Sequence, residues 1–104
     1  MRRKEGRNPI SMQAVYRTGI DRRNIALWDL SSHGCRIFVS GLTMKPGQRV
    51  VLKPEGMEAL DGTIRWAGDE FAGVEFDRPL HPAVVDHLCR LHPDESRIAM
   101  EMAA

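Results

Sequence analysis

The run Asn24-Ile25-Ala26-Leu27-Trp28-Asp29-Leu30-Ser31-Ser32-His33-Gly34-Cys35-Arg36-Ile37-Phe38-Val39 decides the fold class. Residues 24–28 and 35–39 read as strands, and residues 29–34 between them form a loop rich in Ser and Gly. Upstream, residues 10–16 alternate roughly apolar and polar, the period of a half-buried strand, after Asn8-Pro9 turns the backbone toward extended conformations. Downstream, Lys45-Pro46-Gly47 is a strong turn: proline is preset for its second position and glycine is free to take positive φ. Residues 48–53, 60–67 and 71–76 follow as three more strands, with Pro54-Glu55-Gly56 and Gly68-Asp69-Glu70 between them. Six short strands separated by turn signals predict an all-β architecture, a small antiparallel barrel.

The period changes at Pro82, a residue favoured in a first helical turn. Val84, Val85, Leu88 and Leu91 recur at helical spacing, predicting one C-terminal helix that Pro93 ends. Residues 9–91 therefore form one domain, flanked by a basic segment at 1–8 and a tail at 92–104. For residues 94–104, a further helical turn and a frayed end are both open.

The 104 residues suffice for one core and not for two. Apolar residues make up 42% and charged residues 28%, the composition of a soluble globular domain. No apolar run approaches the roughly 18 residues of a membrane helix. No apolar stretch follows the basic opening, so no secretory signal is read there. Cys35 and Cys89 stand far apart, which points to a reducing cytoplasm rather than a disulfide framework. The net charge of +1 hides an asymmetry: residues 1–23 hold seven basic and two acidic residues, a local +5, so the remainder carries −4. A basic front on an acidic body suits an anionic partner met at that front, although a solvated tail has the same composition.

Two elements carry chemistry. Arg3-Lys4-Glu5-Gly6-Arg7 is an Arg-x-x-x-Arg before strand one, and Asp29-Leu30-Ser31-Ser32-His33-Gly34 is an Asp-x-Ser-x-x-Gly after strand two. In this order, within a six-stranded pattern and a trailing helix, they resemble the paired signature of PilZ domains, bacterial receptors for cyclic di-GMP. The resemblance spans residues 3–76 and includes Pro46-Gly47, Trp66 and Gly73-Val74-Glu75-Phe76. It implies a cyclic di-GMP site formed by Arg3, Arg7, Asp29, Ser31 and Gly34, with Arg2 and Trp66 as weaker members. It also implies a mobile N-terminal segment that closes over the ligand, and a separate downstream protein that receives the signal.

The residue types fit that ligand. The arginine fork binds phosphate oxygens or the O6/N7 edge of guanine, and its face stacks on a purine. An ionised Asp29 only accepts hydrogen bonds, which matches the donors of guanine rather than a phosphate. Ser31 serves phosphate or base, and Gly34 permits a left-handed backbone or a close approach. A plainer account also exists for each: Asp29 and Ser31 as turn formers, Gly34 as the turn's positive-φ residue, the arginines as a solubilising tail. Trp66 is either a wall of the site or a core residue, with core the commoner role. Arg22, Arg23 and Arg36 either enlarge the positive surface or are solvated.

Other classes fare worse. Gly68-Asp69-Glu70-Phe71 echoes the signature of diguanylate cyclases, but the chain is too short for that domain and Gly-Asp-Glu is ordinary turn chemistry, so no enzyme is expected. His87 and Cys89 do not share a helix face and no zinc-type pair is present, so neither metal nor cofactor is expected. Two non-enzymatic rivals stay open. One is an adaptor of the same fold acting only through protein contacts. The other is a basic barrel for single-stranded nucleic acid, disfavoured because the few aromatics sit mostly at strand positions that read as buried.

Overall fold

The computed structural model describes residues 8–39 and 42–93, with side chains from residue 10 onward. Strands β1 (Asn8–Arg17), β2 (Arg22–Leu30), β3 (Gly34–Phe38), β4 (Arg49–Pro54), β5 (Leu60–Ala67) and β6 (Phe71–Phe76) are followed by helix α1 (Pro82–Leu91). Every strand pairing is antiparallel, and the order β1-β2-β3-β6-β5-β4 closes into a barrel through β1 and β4. The six strands and one helix expected from the sequence are all present.

Alternation along the strands builds the interior. Ile10, Leu27, Leu30, Ile37, Val39, Leu52 and Ile64 are fully buried and meet inside the barrel, joined by Met12, Tyr16, Val74 and Phe76. Cys35 on β3 is a small, buried core residue. Gly47 takes φ 90° in the expected Lys45-Pro46-Gly47 turn, where the Gln48 amide donates to the Lys45 carbonyl at 3.1 Å.

Three strands carry one extra residue each. Between Leu27↔Ile37 and Asp29↔Arg36, β2 has two steps against one on β3, so Trp28 is the extra residue. Between Ile64↔Val74 and Trp66↔Gly73, β5 gains Arg65 in the same way. A third irregularity lies between Pro9 and Met12 of β1, and there the Ser11 amide donates to the carbonyl of His92, at the end of α1. Such bulges bend a strand and re-aim its side chains.

Helix α1 starts at His81, whose Nδ1 accepts from the Ala83 amide at 3.0 Å, with Pro82 in the first turn. It packs against β1 and buries Val85 and Leu88. Val84 and Leu91, expected on the same apolar face, remain exposed. Val85 and Leu88 lie about one turn apart on the face toward the barrel, with Cys89 half-buried beside them. The remaining apolar stripe borders a shallow groove with Met57. No helix among the described residues is long and apolar enough to cross a membrane.

Candidate functional site

Two of the bulges face each other across the outer wall of the barrel. The register makes Asp29 on β2, Arg36 on β3, Gly73 on β6 and Trp66 on β5 consecutive neighbours in one row over four strands. Leu27 and Leu30 both point inward, so the extra residue leaves both Trp28 and Asp29 on the outer side. Likewise Arg65 and Trp66 both face outward after the buried Ile64.

Arg2, Arg3 and Arg7 lie outside the described residues. Asp29, expected in a loop, is instead a strand residue, because β2 continues to Leu30. It is 5% exposed, and its Oδ2 meets Arg36 Nη2 at 2.6 Å. Ser31 opens the β2–β3 connection. Its Oγ accepts from the His33 and Gly34 amides, each at 3.3 Å, and its own amide donates to the Gly34 carbonyl at 2.9 Å. The turn-forming role foreseen for Ser31 is therefore present, whatever else the hydroxyl does.

Gly34 does not have positive φ; Gly47 and Gly56 are the described glycines that do. What excludes a side chain at Gly34 is β6: a Cβ there would lie 2.2 Å from the Val74 carbonyl oxygen. Trp66 is 40% exposed and is not a core residue. Its indole lies on Gly73, where a Cβ would come within 2.2 Å of Nε1. The bulge at Arg65 is the reason: it turns Trp66 outward and Gly73 gives the ring room.

Ser31, Gly34 and Trp66 come together at an open cleft of about 290 Å³, lined also by His33, Arg65 and Glu75. Asp29 stands beside it, beyond Arg36. Arg65 Nε donates to Glu75 Oε1, and both residues line the cleft. Sequence reasoning named neither Arg65 nor Glu75 as a site residue, although Glu75 lies in the Gly73-to-Phe76 run; the β5–β6 pairing brings the two side chains together. Among the described residues, no group of three or more His, Cys, Asp or Glu could hold a metal ion. Gly68 and Phe71 close the β5–β6 hairpin, the Gly68 amide donating to the Phe71 carbonyl at 2.8 Å, so the cyclase-like tetrapeptide is a turn.

The sequence profile of the PilZ domain family matches residues 1–91. The chain belongs to the PilZ family. No curated protein matches it. PilZ domains are known as cyclic di-GMP receptors and adaptors and are not typically enzymes. The PilZ signature positions Asp29, Ser31 and Gly34 thus occupy the β2–β3 corner of the barrel, with the cleft running from that corner to Trp66.

Proposed function

We propose that this PilZ domain binds cyclic di-GMP at the cleft between Ser31, Gly34 and Trp66, and passes the signal to a separate protein. The observation that carries this reading is the register of β1. Asn8 pairs with Leu30 and Pro9 with Asp29, so the segment bearing Arg3 and Arg7 joins the barrel beside the Asp29-to-Gly34 motif. Arg3 is five residues before Asn8, within about 17 Å of extended chain. That juxtaposition supports a single site for both motifs.

The cleft's size supports a ligand shared between wall and segment. Small-molecule sites enclose about 300–1,000 Å³, and this cleft of about 290 Å³ falls just short of that range, room for one end of a dinucleotide. In this reading Trp66 offers a flat face to a guanine, Arg65 offers a cation to phosphate or base, and the arginines of the N-terminal segment cover the rest. Asp29 accepts from guanine donors.

Calorimetry with cyclic di-GMP, beside GTP and GMP as controls, tests this. We expect binding of cyclic di-GMP alone, with Arg7→Ala weakening it by about 2–3 kcal/mol, the range of a lost charge-assisted contact. No heat and no NMR shifts at millimolar ligand on folded protein overturn the receptor reading and leave the adaptor.

A further inference from the structure

We propose that Arg36 is a positioning residue of this site: it fixes the direction of the Asp29 carboxylate. The inference rests on the receptor reading above and adds to it a residue outside the PilZ signature.

Arg36 is held from three sides. Its Nη2 pairs with Asp29 Oδ2 at 2.6 Å. Its Cζ lies 4.8 Å from the ring centre of Phe71 and 5.5 Å from that of Trp28. Those two rings meet edge to face at 4.7 Å, and Phe38 braces Phe71 at 5.5 Å. A guanidinium gains from aromatic faces and from a carboxylate at once, because its plane serves the first and its rim the second. The bulge makes the arrangement possible. Without the extra residue, Trp28 and Asp29 would point to opposite sides of β2, and Arg36 could meet only one of them.

The consequence falls on Asp29. A carboxylate has two oxygens, and anchoring one to a guanidinium packed against two rings orients the plane of the whole group. The Arg36 side chain is 29% exposed and that of Asp29 7%, so water screens the pair far less than a surface pair. A solvated strand arginine has neither the aromatic cradle nor the buried partner.

The test is a double-mutant cycle read by cyclic di-GMP affinity, on wild type, Asp29→Ala, Arg36→Met and the double variant, each confirmed folded by its amide spectrum. Methionine keeps the contact with the rings and removes the charge. Contacting residues couple strongly, so we expect Arg36→Met to weaken binding on the order of tenfold with Asp29 present and less than about twofold in the Asp29→Ala background. Arg36→Lys, which keeps a charge without the planar fork, should fall between and keeps the test open if Arg36→Met does not fold. Equal losses in both backgrounds, or no loss, overturn the proposal.

The free protein supplies a second readout. The Arg36 Nη groups should give separate, slowly exchanging NMR signals that merge in Asp29→Ala, and freely rotating signals in the wild type also overturn it. If the wild type binds no cyclic di-GMP, the receptor reading falls and the positioning role with it, even with Arg36 locked. If it binds and the cycle is additive, the positioning role falls alone.

Discussion

Gly34 and Gly73 sit in register rows two apart on the same wall, and each is required by a neighbour. At Gly34 the neighbour is backbone, the Val74 carbonyl, which cannot rotate away. Gly34→Ala should therefore part β3 from β6 and destabilise the barrel by about 1–3 kcal/mol, the usual range for overpacking. For a domain of this size that is a fall of roughly 4–8 °C in Tm per kcal/mol. At Gly73 the neighbour is the Trp66 indole, a side chain that can leave. Gly73→Ala should lift the ring off the wall and shift Trp66 fluorescence to the red, with a smaller loss in Tm than at Gly34. A fluorescence spectrum unchanged in Gly73→Ala, or the opposite order of melting temperatures, would contradict this. That the signature glycine matters was legible from the motif. The reason was not, because only the long-range β3–β6 pairing shows what stands opposite it. Asp29 is similar: Ser and Gly on its C-terminal side made a loop of what is the end of β2, and no local pattern names Arg36 as its partner.

The elements themselves were largely legible, because turn chemistry and alternation are local. The Pro46-Gly47 turn, the Gly68–Phe71 hairpin and the proline-led helix all stand where those signals placed them. Bulges were not, since an extra residue exists only by comparison with the facing strand. Nor was the way β4 and β5 are tied to the segment after β6. Arg49 on β4 donates to Thr63 on β5 at 2.9 Å, and makes two contacts with Asp77 at 2.7 and 2.5 Å. The hydrogen bond from Arg49 holds the Asp77 carboxyl below the usual carboxylate range. A carboxyl lowered in the folded state stabilises above its unfolded pKa, and loses that contribution as pH falls through the folded value. Urea melts of wild type and Asp77→Asn should accordingly differ at pH 7 and converge well below pH 4, with the difference shrinking in high salt because the pair is exposed. A gap that persists at low pH would mean the carboxylate charge is not its source.

At the scale of the molecule, the charge division separates the receptor from a nucleic-acid binder. Non-specific binding of single strands falls steeply with salt in proportion to the phosphates contacted, whereas a ligand with two phosphates releases few counterions. Cyclic di-GMP binding should thus survive moderate salt and weaken strongly in Asp29→Ala. Oligonucleotide binding should vanish with salt and be unchanged or slightly tighter in that variant. Titration of both ligands into both proteins at two salt concentrations decides, and tighter oligonucleotide binding at moderate salt with Asp29 irrelevant would displace the receptor reading. The closure of the barrel also sets the order in which the chain can assemble. The β1–β2 and β5–β6 hairpins join near neighbours, but the β1–β4 seam pairs Ala14 with Pro54 and Arg17 with Val51. Such distant pairings must overcome loop-closure entropy before they gain anything, which slows folding. The β3–β6 pairing, Gly34 with Glu75, spans as much chain, so both are natural late events of folding, and β1 and β3 wait for β4 and β6.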